Sequence, residues 1–291
     1  MKSEKPVVGF IGLGVMGKSM AGHILSQGYA LHVHTRTQKT ARGLVGKGAI
    51  WEDGVAALSS RCDVVITIVG FPKDVEEVYF GEAGIISNAK KDAVVIDMTT
   101  SSPELAEKIY ESGRQKGVHA LDAPVSVGDI VSNNASLSIM VVSDIDVFEL
   151  PVPLFAVMGI NVVYQGKAGS GQHTKMVNQI AIAAGMVAVR EAISYAKNAG
   201  LDPETVLKSI SQGAAGSWTL NNLGPRMIKA DYEPGFYVKH FIKDMAIAKA
   251  SSKDMGLDTP GLDLTLSLYR KMSEMGMDEN GTQALFKLFN A

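Results

Sequence analysis

The stretch GFIGLGVMG, residues 9–17, follows an apolar run and opens a helical pattern near the start of the chain. Gly12 permits a tight turn, Gly14 lets the backbone approach a pyrophosphate, and Gly17 allows a helix to pack closely on a strand. The amino terminus of such a helix offers unpaired N–H groups and a partial positive charge to phosphate groups. The stretch therefore predicts a dinucleotide-binding domain, with a phosphate loop formed by Gly12, Leu13, Gly14, Val15, Met16 and Gly17.

Around this loop, the first half of the chain alternates short apolar runs with helical patterns. Such alternation is typical of repeated βα units with right-handed crossovers and a parallel sheet. The candidate strands are Val7–Ile11, Leu31–His34, Val64–Val69, Ala93–Met98, Val118–Asp122, Leu137–Val142 and Val162–Gln165. Helical segments between them include Lys18–Gln27, Val75–Tyr79 and Pro103–Lys116. We therefore predict a Rossmann-type, doubly wound α/β sheet.

The pattern changes after Gly166, where strand-like runs give way to long helical periods. We predict helices at Gln172–Asn198, Lys239–Met255 and Leu262–Met275. Asp202 and Pro203 are residue types preferred at the cap and first position of a further helix. The sequence thus predicts a dinucleotide-binding domain at residues 1–166 and an all-helical domain for substrate binding and dimerisation at residues 167–291.

The end of the second predicted strand indicates which cofactor is bound. It reads Thr35-Arg36-Thr37, and no Asp or Glu occurs between Gly17 and Glu52. NAD-binding domains usually place an acidic residue here to hold the ribose 2′-hydroxyl, and an acid would repel a 2′-phosphate. The guanidinium of Arg36 can instead form a forked, charge-assisted pair with that phosphate. Arg36 and Thr37 therefore favour NADP, with NAD and a merely solvated basic turn as the alternatives.

Composition limits the classes to which the chain can belong. Of its 291 residues, 46% are hydrophobic and 20% are charged, which is typical of a globular protein. The net charge of −2 argues against a nucleic-acid partner. Cys62 is the only cysteine and the six histidines lack paired ligand spacing, so no metal site is predicted. The apolar stretch Ile180–Val189 is too short to span a membrane, and we expect a buried helix in a cytoplasmic protein without a signal peptide.

Five segments together resemble one enzyme family. They are GFIGLGVMG (9–17), DMTTSSP (97–103), DAPVS (122–126), GSGQHTKMVNQ (169–179) and PGFYVKHFIKD (234–244). In this order and spacing the chain resembles the β-hydroxyacid dehydrogenases, which include 3-hydroxyisobutyrate dehydrogenase, tartronate semialdehyde reductase and glyoxylate/succinic semialdehyde reductase. The resemblance covers nearly the whole chain, but it is only weakly specific for the substrate.

The resemblance implies how a substrate is held and protonated. Lys175 matches the family's catalytic lysine, which gives a proton to the carbonyl oxygen during reduction and takes it back during oxidation. Ser126, with the Val127 and Gly128 that follow, matches the element that grips the substrate carboxylate. Asn178 and Gln179 share the helical face of Lys175 and are expected to position the substrate. Phe236 is expected to wall the pocket, although ordinary packing would explain it as well.

The resemblance also implies cofactor contacts beyond the phosphate loop. Thr100 lies where the family places a residue beside the nicotinamide ribose and the substrate. Val69 is expected on the adenosine side of the cofactor. Lys243 matches a lysine that reaches both cofactor and substrate, and its neighbour Asp244 has either a site role or a capping role.

One segment departs from the family pattern. After DAPVS the family has two glycines, whereas this chain has Val127 and Gly128. A β-branched residue restricts the backbone and resists positive φ, so closure of this loop on a carboxylate is in doubt. A catalytically weak dinucleotide-binding protein is therefore one reading of the sequence.

The leading interpretation is an NADP-dependent oxidoreductase that interconverts a small carboxylate-bearing aldehyde or oxo acid with its hydroxy acid. Glyoxylate, succinic semialdehyde and tartronate semialdehyde are candidate substrates. The alternative within enzymes is oxidation of 3-hydroxyisobutyrate or another 3-hydroxy acid. Because the apolar helix at Ile180–Val189 carries no charge, we also expect a homodimer or homotetramer.

Overall fold

A computed structural model of the chain describes residues 5–126, 135–142 and 151–289. The chain forms two compact units, Met1–Lys175 and Met176–Ala291. The first unit is α/β and the second is helical, which confirms the predicted fold class. The expected domain boundary near Gly166 stays a prediction.

The first unit is built on a parallel sheet. In the part of the chain that the structure describes, this sheet has six strands in the order β3-β2-β1-β4-β5-β6. They are β1 (Val8–Ile11), β2 (Leu31–His34), β3 (Ile50–Trp51), β4 (Val64–Thr67), β5 (Val94–Asp97) and β6 (His119–Asp122). All neighbouring strands pair in parallel. The strand order reverses between β1 and β4, and ligands of doubly wound sheets bind at this point, beyond the carboxyl ends of the strands.

Helices cover both faces of this sheet. They are α1 (Val15–Ser26), α2 (Arg42–Val45), α3 (Val55–Ser59), α4 (Pro72–Phe80), α5 (Ile85–Asn88) and α6 (Pro103–Lys116), with a 3₁₀ turn at Gln38–Ala41. Consecutive strand residues alternate between two hydrophobic clusters, so Phe10 packs on one face and Ile11 on the other. Strands buried on both faces read as continuous apolar runs, as they do here.

A smaller sheet follows within the same unit. It joins β7 (Val125–Ser126), β8 (Leu137–Val141) and β9 (Gly159–Tyr164), with α7 (Val152–Met158) before β9. Strand β7 is antiparallel to β8, and β8 is parallel to β9.

The second unit is helical. Its helices are α8 (Ser170–Asn198, which begins in the first unit), α9 (Pro203–Ile210), α10 (Trp218–Asn222), α11 (Gly224–Ile228), α12 (Val238–Asp254) and α13 (Pro260–Glu274), and a 3₁₀ helix covers Thr282–Phe289. The ring of Phe241 packs edge-on against Tyr269 in its core, with the ring centres 5.0 Å apart. The carboxylate of Asp202 accepts the N–H of Thr205 at 3.0 Å, which confirms the predicted cap of α9.

Two expectations about α8 need refinement: that its apolar stretch is buried, and that this stretch is too short to span a membrane. Within Ile180–Val189 one face is buried, but Ala181, Ala184 and Ala188 are exposed, so the expected buried helix is buried on one side only. By length and composition α8 could cross a bilayer, a test that core helices of soluble proteins also pass. One third of its most apolar stretch is buried.

Candidate active site

The glycine-rich loop after β1 has the geometry of a tight turn into a helix. Gly12 has a φ of +97°, and a Cβ there would overlap the carbonyl oxygen of Ile68. A Cβ on Gly17 would overlap the carbonyl oxygen of Gly12, so α1 packs directly on the turn. Gly14, by contrast, faces open space, with no atom within 4 Å of a Cβ built there. Helix α1 starts behind it without an acidic residue in its first turn or a side-chain cap.

The basic turn after β2 carries an exposed guanidinium. The side chain of Arg36 is 86% exposed, and its Nη1 lies 3.5 Å from Oδ1 of Asp74 in α4. Thr37 precedes the 3₁₀ turn, and its carbonyl oxygen accepts the N–H of Thr40. Glu52, the first acidic residue after the phosphate loop, is buried and bound by His32 and Arg61 at 2.7 and 2.8 Å. Its carboxylate is therefore occupied by protein partners.

The loops after β4 and β5 are tied together beside the phosphate loop. The N–H of Val69 donates to Oγ1 of Thr99 at 3.0 Å. The N–H of Thr99 in turn donates to the carboxylate of Asp97, also at 3.0 Å. Val69 and Thr100, both predicted to contact the cofactor, thus lie on two adjoining loops at the carboxyl edge of the sheet.

The first turn of α8 is hydrogen-bonded to the end of β6 and to the loop after β5. Oδ1 and Oδ2 of Asp122, the last residue of β6, accept the N–H groups of Gly169 and Gln172 at 3.1 and 3.0 Å. The side chain of Gln172 is bonded to Thr99 and Ser101. Lys175 follows one turn later and is 6% exposed. Burial raises the pKa of Asp122 to about 6, although the bonds from Gly169 and Gln172 lower it.

The expected carboxylate-gripping segment begins at the small sheet. Ser126 is buried at the end of β7 and pairs with Ser138 of β8. Val127 and Gly128, which were predicted to complete this segment, lie outside the described residues.

Polar residues on α8 and α12 form a connected group in the second unit. Nδ2 of Asn178 donates to Oε1 of Gln179 at 2.7 Å. Nε2 of Gln179 donates to Oδ2 of Asp244, also at 2.7 Å, and Nζ of Lys243 lies 3.0 Å from the other oxygen of Asp244. The ring of Phe236 packs near Phe241, with the ring centres 5.7 Å apart. The structure therefore brings Asn178, Gln179 and Lys243 together.

Within the described ranges no three His, Cys, Asp or Glu side chains are grouped as metal ligands. Burial raises the pKa of the Cys62 thiol to about 12, so this cysteine stays protonated at neutral pH.

Two family models match the chain. Residues 7–166 match the NAD-binding domain of 6-phosphogluconate dehydrogenase, and residues 169–289 match a domain described as NAD-binding of NADP-dependent 3-hydroxyisobutyrate dehydrogenase. The chain is 36% identical over 278 residues to 2-hydroxy-3-oxopropionate reductase of Escherichia coli, covering 96% of this chain and 95% of that protein. The chain belongs to the β-hydroxyacid dehydrogenase family. It is an NAD(P)-dependent oxidoreductase, as the sequence predicted.

Two further comparisons show what the chain is similar to in sequence and in fold. An uncharacterized oxidoreductase of Bacillus subtilis is 59% identical over 285 residues, or 98% of this chain and 99% of that protein. The solved 3-hydroxyisobutyrate dehydrogenase of Mycobacterium tuberculosis has the same fold, with a TM-score of 0.90, 23% identity and coverage of 99% of this chain and 100% of that one.

The phosphate loop of this β-hydroxyacid dehydrogenase fits a dinucleotide. The space in front of Gly14 would be narrowed by any side chain there, and the uncapped start of α1 presents N–H groups. The first turn of α1 contains no acidic residue, so no carboxylate there would repel a phosphate group.

Sequence reasoning missed the bonding roles of Asp122 and Gln172. Asp122 ends a strand within the DAPVS segment, and glycines at 169 and 171 flank the start of α8. A Cβ on Gly171 would lie 2.6 Å from Oδ2 of Asp122, so the small residues are the signal that another group approaches here.

Proposed function

We propose that this enzyme is an NADP-linked reductase of a short carboxylate-bearing aldehyde or oxo acid, such as glyoxylate, succinic semialdehyde or tartronate semialdehyde. The observation that carries the proposal is the burial of Lys175 on a helix anchored directly to the loop of Thr100. The 36% identity to 2-hydroxy-3-oxopropionate reductase supports the substrate class, since that compound is tartronate semialdehyde.

In this proposal the phosphate loop from Gly12 to Gly17 binds the pyrophosphate. Arg36 and Thr37 hold the ribose 2′-phosphate, because Arg36 extends into solvent and the nearby Glu52 is already paired. The name of the second family model supports NADP, and NAD serves as the weaker alternative. Val69, Thr100 and Lys243 complete the cofactor contacts. The nicotinamide, when bound, supplies the hydride.

Lys175 gives a proton to the carbonyl oxygen as the hydride arrives at the carbon. Its ammonium also stabilises the negative charge that develops on that oxygen. Ser126, with the backbone of Val127 and Gly128, binds the substrate carboxylate. Asn178 faces the substrate, and Gln179 holds Asn178 in place because both ends of the Gln179 amide are hydrogen-bonded. Phe236 provides an apolar wall.

Assembly and location are parts of the same proposal. We assign the dinucleotide-binding domain to residues 1–166 and the helical domain to the remainder. An exposed apolar strip on α8, with Val177, Ala181 and Ala188, supports a homodimer or homotetramer. We place the enzyme in the cytoplasm.

Oxidation of a 3-hydroxy acid is the second candidate. The match of residues 169–289 to a 3-hydroxyisobutyrate dehydrogenase domain favours it. Lys175 would then accept the hydroxyl proton instead of giving one.

An assay in both directions tests the proposal. NADPH oxidation is followed with glyoxylate, succinic semialdehyde and tartronate semialdehyde, and NADP⁺ reduction with 3-hydroxyisobutyrate and serine. We expect the highest kcat/KM with one of the three aldehydes or oxo acids. A clear preference for a hydroxy acid would select the second candidate, and no turnover of any compound would leave only cofactor binding.

A further inference from the structure

The side chain of Gln172 joins helix α8 to the segment that follows β5. Its Nε2 donates to the carbonyl oxygen of Thr99 at 2.8 Å, and its Oε1 accepts the N–H of Ser101 at 2.9 Å. The two bonds bracket Thr100. Gln172 has no exposed surface, so water does not compete for either bond.

The position of Gln172 is fixed from its other side by β6. Its backbone N–H donates to Oδ2 of Asp122 at 3.0 Å, while Gly169 donates to Oδ1. A Cβ on Gly171 would lie 2.6 Å from Oδ2 of Asp122 and 2.7 Å from the carbonyl oxygen of Met140. Glycine at this position therefore allows the start of α8 to approach the sheet closely.

Lys175 lies three residues after Gln172, on the same face of α8. Thr99, which accepts the side-chain bond of Gln172, also accepts the N–H of Val69. One buried amide thus connects the helix that carries the proposed proton donor with the two loops proposed to contact the cofactor.

We propose that Gln172 is a positioning residue that sets the placement of Thr100 relative to the ammonium of Lys175. This inference rests on the proposed function. Hydride and proton transfer need reacting atoms in near-attack geometry, and a misplacement of about 1 Å costs roughly 10²-fold in rate. Gln172 acts through the helix and the loop, and it needs no contact with the substrate.

The two bonds impose a chemical requirement that a test can use. Thr99 presents an acceptor and Ser101 a donor, so the side chain between them must donate at one end and accept at the other. A protonated carboxyl group meets this requirement, whereas a carboxylate places two acceptors against each other. We call the two hydrogen bonds of residue 172, to Thr99 and to Ser101, the clamp. A Gln172→Glu variant should therefore form the clamp only while its new carboxyl is protonated. Asp97, which accepts the N–H of Thr99, and Asp122, which accepts the N–H of residue 172, oppose ionisation of that carboxyl, and burial raises its pKa. The ammonium of Lys175, three residues later on α8, favours ionisation.

Three variants are compared with the natural enzyme from about pH 5.5 to about pH 9. They are Gln172→Leu, Gln172→Glu and, as a control, Gln115→Glu on the exposed surface of α6. Steady-state kinetics give kcat and KM, and hydrogen–deuterium exchange reports the protection of the Ser101 amide in the absence of substrate.

We expect Gln172→Leu to lower kcat by roughly 10- to 100-fold at every pH, with a much smaller change in the KM for NADPH. Its Ser101 amide should exchange faster. Gln172→Glu should approach the natural enzyme at the acid end and lose both kcat and amide protection as the pH rises. Gln115→Glu should follow the natural profile throughout.

An unchanged kcat in Gln172→Leu, or a natural pH profile in Gln172→Glu, would overturn the proposal. If Gln172→Leu does not fold, the pH dependence of Gln172→Glu decides alone. If the natural enzyme turns over no compound in the panel, the proposed function has failed. The exchange data then decide the clamp itself, and unaltered protection of Ser101 in both variants would refute it.

Discussion

Nε2 of Gln179 donates a 2.7 Å hydrogen bond to Oδ2 of Asp244, and both side chains are buried. Nζ of Lys243 lies 3.0 Å from the other carboxylate oxygen. A buried carboxylate is costly unless it is paired and hydrogen-bonded, and here an amide and an ammonium share that task. Asp244 therefore holds Lys243, a proposed cofactor ligand, and Gln179 in fixed positions.

Removing this carboxylate should destabilise the protein. We expect Asp244→Asn to lower the free energy of unfolding by about 3 kcal/mol, because the ammonium of Lys243 loses its partner in a buried setting. The matched control is Asp263→Asn, which removes a carboxylate 2.7 Å from Lys249 where both side chains are 47% exposed. Its cost should stay below about 1 kcal/mol. Urea unfolding measures both variants, and equal costs would contradict the assigned role of Asp244.

Some elements could be predicted closely because capping residues next to their ends specify where they begin and end. Helix α6 has the predicted bounds, Pro103–Lys116, since Ser102 caps it through the N–H of Leu105 and Gly117 ends it with a φ of +68°. The turn from β1 into α1 follows from its glycine spacing in the same way. Strands β3 and β7 were missed, because each has only two residues and exists through pairing with distant strands.

The sequence did not predict the long-range hydrogen bonds of the candidate site, because they join residues that are far apart in the chain. The identities of Lys175 and Ser126 were carried by sequence motifs. The bonds of Asp122 to the start of α8 join residues 47 and 50 positions apart, and no local pattern specifies such a pairing. The strand predicted at Val64–Val69 is also longer than the observed one. Strand β4 ends at Thr67, whose hydroxyl donates a hydrogen bond to Asp97.

Arg36→Ala should separate the two cofactors. The guanidinium of Arg36 is 86% exposed and lies 3.5 Å from Asp74, so this ion pair contributes little and leaves the guanidinium able to bind another anion. We expect the Kd for NADPH to rise by about 10- to 100-fold, the equivalent of losing a charge-assisted pair, while the Kd for NADH stays nearly constant. Fluorescence titration gives both constants. Arg114→Ala, on the surface of α6, is the control and should alter neither. Equal weakening of both cofactors would show that Arg36 does not read the 2′-phosphate.

Lys175→Ala should remove chemistry and spare cofactor binding. Loss of a general acid is expected to lower kcat by about 10²- to 10⁴-fold. NADPH affinity should change little, because the proposed phosphate contacts lie in the Gly12–Gly17 loop and at Arg36. Lys197→Ala, near the other end of α8, serves as the control for removing a lysine from this helix. Near-normal turnover in Lys175→Ala would refute the assignment.

The stability of the protein should depend on pH through Asp122. Burial raises the pKa of this carboxyl from its ordinary 3.8 to about 6 in the folded state. Between these two values the folded chain binds one proton more than the unfolded chain at this site. The contribution of Asp122 to stability is therefore present below pH 3.8 and is lost as the pH rises through about 6. The slope is at most about 1.4 kcal/mol per pH unit.

Urea unfolding of the natural protein and of Asp122→Asn across this window isolates the effect. The variant lacks the titrating group, so the free energy of unfolding of the natural protein should fall relative to the variant as the pH increases. Asp202→Asn is the contrasting control, because hydrogen bonds from Thr205 lower the pKa of Asp202. The contribution of Asp202 to stability is therefore present above pH 3.8 and is lost only as the pH falls below that value. Its pH dependence should parallel the natural protein's in this window. If the free energy of unfolding of Asp122→Asn had the same pH dependence as that of the natural protein, the pKa of the Asp122 carboxyl would be ordinary. The carboxyl that accepts the N–H groups of Gly169 and Gln172 would then be mostly ionised in this range.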